Sequence, residues 1–194
     1  MVLAGVSLGL RGLQILFGAV IVGLSAHFIT SQRIGSAPTT TKYSVFTGAY
    51  GIIEGLFGIA ALFASFIPDV VVLGADAVGA LVLLAGGIAW AIGTRSVSCT
   101  DIRKADKIVN NDLLNQGKQK YKGEWIYGIF HDNPSEKEAW SRLQDSCKRG
   151  LADEIFQFLG FAVLVGLVVV GWLRWRGGRG DGWWGEDETV SLSS

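Results

Sequence analysis

Histidine and cysteine are scarce in this chain, with two of each in 194 residues. The histidines, His27 and His131, lie in different segments, and no cysteine–histidine spacing outlines a metal site. No serine or cysteine has an evident base beside it, so the residues suggest no catalytic centre, no cofactor and no metal. Basic residues are absent between Lys42 and Arg95, whereas 11 of the 17 lysines and arginines fall between Arg95 and Arg149. There 8 acids nearly balance them and no recognition motif appears, which speaks against nucleic-acid binding. Lipid anchors are not expected either: Val2 excludes myristoylation and the closing SLSS is not a prenylation box.

What the chain does have is apolar length. Four segments, about Leu8 to Ile29, Tyr43 to Ile67, Val70 to Gly93 and Leu151 to Leu173, each reach the ~20 residues that carry a helix across a bilayer. They lack the dyad alternation of barrel strands, and only a helix or a closed barrel satisfies its backbone in lipid. A soluble fold hides one such segment as a buried helix, but the polar sequence is too short to cover four. The expectation is an all-α membrane protein, a bundle of four transmembrane helices within residues 1–173, followed by a disordered tail over 174–194. Arg11 precedes a long apolar stretch without a convincing cleavage site, so the first helix reads as a signal anchor.

The connections differ in kind. TSQRIGSAPTTTK is a short polar loop, while little more than IPD joins the second and third helices into a tight hairpin ended by Pro68. Residues 94–150 form the one sizeable polar segment. Within it SEKEAW (Ser135 to Trp140) has the S-x-x-E form of a capping box, which predicts a helix from about Glu136 that runs on into the fourth span. EWIYGIF (Glu124 to Phe130) reads either as a membrane-surface or bundle-packing segment or as a short strand. The tail contains GDGWWG, a formal G-x-G-x-x-G at Gly180, Gly182 and Gly185. No strand and helix flank it, so it carries no dinucleotide reading. Trp172 and Trp175 suit an interfacial aromatic belt, and Arg174, Arg176 and Arg179 suit contacts to anionic headgroups.

Two acids, Glu54 and Asp76, stand out inside the second and third spans. Ionised groups there are costly and usually face the bundle interior or mark a pathway for protons or cations. Counted from a turn at Pro68, their depths differ by roughly 9 Å, which argues against contact and leaves Asp76 shallow enough to snorkel. Gly51, Gly55 and Gly58 share one face of the second helix, and Gly79 and Gly86 line the third. Small residues let helices approach closely in lipid, within one bundle or between copies in a homo-oligomer.

The second helix with its YGI (Tyr50 to Ile52), the acid near the start of the third, the exit AGGIAWAIGTRSVSC and the second cysteine in DSCKRGLADEIFQFLG resemble the fungal non-classical export family of MARVEL-domain membrane proteins. That resemblance implies a MARVEL-like four-helix bundle at the plasma membrane with both termini cytosolic. It further implies association with sphingolipid- and sterol-linked patches, the furrows underlain by eisosome scaffold proteins. The implied role is membrane organisation with lipid sensing and unconventional export, and not enzymology. With cytosolic termini, residues 94–150 face the exterior, where Cys99 and Cys147 would pair and close the loop, a constraint of ~4 kcal/mol. The positive-inside rule points the other way, since the 11 basic residues of that loop outnumber Arg11 and the three tail arginines. Two other functions stay open on the residues: a small channel or proton-coupled transporter using Glu54 and Asp76, and a scaffold whose tail, with Thr189 and Ser191 beside acids, recruits a cytosolic partner.

Overall fold

The computed structural model describes residues 2–64, 67–95, 97–101, 105–130 and 132–180. Among these described residues, four helices are long and apolar enough to cross a membrane. They are α1 (Val2–Thr30), α2 (Thr39–Phe63), α3 (Asp69–Gly93) and the greater part of α5 (Glu136–Gly180). The first two begin a few residues before their apolar runs, and α3 begins one residue before its own. The flanking threonines and small residues extend a helix without being apolar, which sequence hydropathy alone does not register. Pro38 and Pro68 stand at the N-caps of α2 and α3, where a residue without a free N–H costs nothing.

The helices pack in a ring, α1 beside α2, α2 beside α3, α3 beside α5 and α5 beside α1. Chain direction alternates, so the start of α1 and the end of α5 share one end, the terminal end. Helix α5 has 45 residues and is about 67 Å long, more than twice what ~30 Å of hydrocarbon requires. Its first turns stand outside the span. There the capping box forms as the sequence predicts: the Ser135 N–H donates to Glu138 Oε2 at 3.1 Å and the Glu138 N–H to Ser135 Oγ at 3.4 Å. At its other end α5 continues helically to Gly180, past Leu173, where a disordered tail was expected to begin; residues 181–194 lie outside the described set.

The long polar segment is a folded cap on the far end of the bundle. It contains the short helix α4 (Ala105–Val109), strands β1 (Lys118–Tyr121) and β2 (Glu124–Tyr127), and a 3-10 turn at Gly128–Phe130. The strands pair antiparallel, Lys118 opposite Tyr127 and Tyr121 opposite Glu124. Lys122 and Gly123 between them both take positive φ, 49° and 94°, the geometry of a two-residue hairpin turn. EWIYGIF is therefore a strand followed by a turn, and the polar KQKY that completes the hairpin carries no strand signal of its own.

Cys99 and Cys147 form a disulfide with Cα atoms 5.5 Å apart, tying the exit of α3 to the outer turns of α5. Around it a small core gathers Ile108, Leu114, Ile129 and Leu143 from the cap, with Phe28 and Trp90 from the ends of α1 and α3. The cap is also bonded to the α1–α2 connection, because the backbone N–H groups of Arg33 and Ile34 both donate to the Gln116 carbonyl. Gly117, with φ of 96°, makes this possible: a Cβ there would overlap the Ile34 carbonyl oxygen.

Candidate functional site

Polar side chains inside the spans gather at two levels. Near the terminal end, Arg11 of α1 reaches diagonally across the bundle to Asp76 of α3. Its Nη1 donates to Oδ1 at 2.6 Å and its Nη2 to Oδ2 at 2.8 Å. This two-pronged pairing suits the planar guanidinium and is nearly sealed from solvent, with Arg11 2% and Asp76 3% exposed. Gln14, one turn further along α1, accepts from Arg11 at 3.0 Å and donates to the Gly51 carbonyl of α2 at 3.1 Å. Glu54 of α2 is buried in the same layer, its carboxyl within hydrogen-bonding reach of the Asp76 carboxyl and of no other partner. The Nε of Arg11 is buried without a hydrogen-bond partner.

The second level lies toward the cap, roughly 15–20 Å away along the helices. Asp153 of α5 accepts from Ser25 of α1 at 2.5 Å, from Ser44 of α2 at 2.7 Å and from Gln157 one turn below it at 2.9 Å. The Ser44 hydroxyl accepts in turn from Gln157 at 2.6 Å and from Trp90 Nε1 at 3.1 Å. Thr94, at the end of α3, donates to Glu154 at 2.9 Å. All four long helices therefore meet in one connected network. Between the two levels sits an apolar plug of Ile21, Ala80, Leu83 and Leu164, each buried.

The glycines make this arrangement possible in a way that spacing alone does not reveal. A Cβ at Gly58 would overlap the Arg11 guanidinium, one at Gly79 the Glu54 carboxyl, and one at Gly86 the Gln157 amide. These three are sockets for polar side chains of neighbouring helices. At Gly55 a Cβ would meet Ile15 at 2.6 Å, while Gly51 contributes its carbonyl to Gln14 and has open space at its Cβ. Backbone meets backbone at a different pair, Gly18 of α1 and Gly48 of α2.

Glu54 and Asp76 thus lie in one layer, contrary to the depth count from Pro68. Helix α2 stops at Phe63 and α3 starts at Asp69, so Glu54 is 9 residues before one end and Asp76 is 7 after the other. That is a depth difference of about 3 Å. Asp76 does not snorkel. Nor are these the only charges within the helices, since Arg11, Asp153 and Glu154 lie there too. Arg11 had a legible signal, being the lone basic residue of the first apolar run, and Asp153 with Gln157 shows the i, i+4 spacing of one helix face.

At the terminal end, the Arg174 guanidinium lies 3.8 Å from Asp69, and the rings of Trp172 and Trp175 sit 5.1 Å apart on the last turns of α5. Arg176 is exposed, and the Arg179 side chain lies outside the described residues, as do His131, the glycines beyond Gly180, and Thr189 and Ser191. Among the described residues, no group of three or more histidines, cysteines or acids is placed to hold a metal ion.

A family model described as a membrane-associating domain, MARVEL, matches residues 3–170. No curated protein and no solved structure matches the chain.

Proposed function

The chain belongs to the MARVEL family of membrane-associating domains, and from that premise we propose that it organises its membrane laterally, by packing with lipid and with itself. One observation carries this reading. Large apolar side chains point outward on all four spans (Leu16, Ile53, Leu81 and Val169 among them), while the polar ones turn inward and bond one another. The outer surface is thus built for acyl chains, and the interior is plugged between its two polar levels. A body of this kind acts on what surrounds it.

The disulfide supports an orientation with the cap outside the cytosol, because such bonds persist in oxidising compartments. Both termini are then cytosolic, and Trp172, Trp175, Arg174, Arg176 and Arg179 would meet anionic headgroups of the inner leaflet. The basic residues of the cap mostly stay exposed and argue for the opposite orientation, against which the disulfide is set. From the resemblance to the fungal export family we take the location, plasma-membrane furrows with eisosome scaffold proteins and sphingolipid and sterol as neighbours. Lipid sensing and a part in unconventional export belong to the same proposal. Self-association is favoured by Gly5, Gly9 and Gly12 of α1, which have open space where a second helix would pack.

The test is to image a fluorescently tagged copy in a fungal cell before and after sphingolipid synthesis is blocked. Stable cortical patches that disperse on depletion are expected. An even surface signal that ignores sphingolipid would sink the organiser reading. Transport through Glu54 and Asp76 is the competing function, and Glu54→Gln separates the two: patches should survive it, whereas transport should not. Truncation after Arg179 tests recruitment through the tail, which predicts lost recruitment with insertion intact.

A further inference from the structure

The β1–β2 hairpin is the part of the cap that its small core does not hold. Seven of its eight strand residues are exposed and Tyr127 is half-buried, so the rest of the molecule covers neither face. A two-stranded hairpin is marginal in water and needs a third surface to be stable. This one nevertheless displays Tyr121, Trp125 and Ile126, exposed by 58%, 54% and 42%. Cross-strand partners share a face, so Lys118 and Lys120 stand with Tyr127 and Trp125, and Gln119 and Tyr121 with Ile126 and Glu124. The Lys118 ammonium lies 5.4 Å from the centre of the Trp125 ring, and that of Lys122 5.5 Å from the Tyr121 ring. Residues 118–127 carry three lysines against one acid, Glu124.

The place of the hairpin names its neighbour. Its root is bonded to the α1–α2 connection, through the Gln116 carbonyl that takes the N–H groups of Arg33 and Ile34. Those residues follow directly on the first span, which ends at Thr30, so the root sits where the chain leaves the hydrocarbon. Farther along the strands, Gln119, Tyr121 and Ile126 line an open concavity of about 330 Å³ with Arg33, Ile34 and Gly35. The lining residues carry a guanidinium, a phenol and a primary amide, and no carboxylate. Such donors suit the oxygens of a phosphate ester, with Ile34 and Ile126 beside them for its apolar part. The ion pair of Arg33 with Asp132, at 3.7 Å and half exposed, is too weak to withhold the guanidinium. We propose that the hairpin docks on the leaflet at the cap's side of the membrane. Trp125 and Tyr121 lie in the headgroup zone, and Arg33, Lys120 and Lys122 meet lipid phosphates. Tryptophan and tyrosine favour that zone, and lysine keeps its ammonium at the phosphates while its stem stays in apolar contact. A protein strand is the poorer occupant, because lysines along an edge oppose pairing with another strand. The leaflet then supplies the third surface that the hairpin lacks. The inference needs only that the spans cross a bilayer, and it holds in either orientation. It stands apart from the organiser reading, and either can fail alone.

The full chain tests it, with a nitroxide on Glu124→Cys and one copy in each nanodisc of phosphatidylcholine and phosphatidylglycerol. Glu124 stands at the exposed tip, and its removal deletes none of the proposed contacts. The label's collisions are read with oxygen, which concentrates in lipid, and with a water-soluble nickel chelate. A label on Lys137→Cys, exposed on the first turn of α5, is the reference in water. Collisions with the chelate at 124 should fall severalfold below those at 137, with oxygen favoured. Tyr121→Ser combined with Trp125→Ser should return the label at 124 to the level at 137, and so should Lys120→Glu combined with Lys122→Glu. A label at 124 as open to the chelate as the one at 137, with the hairpin otherwise intact, overturns the proposal. So does protection that survives both double variants, or protection that needs two copies in a disc and thus comes from a second chain.

Discussion

The two polar levels of the bundle use similar chemistry to different ends. At the level near the cap, Asp153 accepts three hydrogen bonds from neutral donors on three helices, and the hydroxyl between them both donates and accepts. At the level near the termini, a bidentate ion pair spans the bundle and leaves a third ionisable group, Glu54, and one guanidinium nitrogen unmatched. A fully satisfied network fixes which helix sits beside which and rotates each to a single angle, a role that needs no ligand. The level near the termini instead depends on one ion pair across the bundle, so its stability rests on few contacts. The disulfide and its small core lock the satisfied end, and no covalent bond locks the other.

The largest expected effect comes from the unsatisfied level. Asp76→Ala leaves Arg11 buried and unpaired and should cost about 3–5 kcal/mol of unfolding free energy in lipid. Replacing Arg11 and Asp76 together with leucines should recover most of it, which a double-mutant cycle would read. Next is Cys99→Ser at the locked end. Opening a loop with 48 residues of separation costs up to about 4 kcal/mol, and protease should then cut within residues 97–130 while the spans stay intact. If the spans melt as well, the two ends are not separate units. Gly86→Ala drives a methyl into the Gln157 amide, so a loss of about 1–3 kcal/mol is expected, with Gln157→Ala partly relieving it in the double variant. Ser25→Ala removes one of three donors to Asp153 and should cost about 0.6 kcal/mol, the scale of interhelical bonds in membranes. An equal loss from Ser25→Ala and Asp76→Ala would erase the distinction between the levels.

Much of the architecture is legible in the amino-acid order. Runs of about twenty apolar residues impose helices because lipid permits little else, and the SEKE box marks the start of α5 within a residue. Pairing of Cys99 with Cys147 agrees with the exterior placement of their segment that the family resemblance implies. Partner choice across the bundle is not legible. Arg11 and Asp76 are 65 residues apart and meet only because α1 and α3 stand on a diagonal of the ring, a fact set by packing. The sockets at Gly58, Gly79 and Gly86 escape for the same reason, since spacing marks a small face but not what fills it. The β1–β2 hairpin is hidden because KQKY is too polar to announce a strand, and only the Lys122-Gly123 turn hints at it.

The central claim is that this protein works on the bilayer through its outer surface. Giant vesicles of phospholipid, sphingolipid and sterol that separate into two phases, reconstituted with the labelled full chain, put that surface to the most direct test. The account predicts strong enrichment in the phase rich in sphingolipid and sterol, lost when sphingolipid is left out and unchanged by Glu54→Gln. Equal brightness in both phases, whatever the lipid, would contradict it.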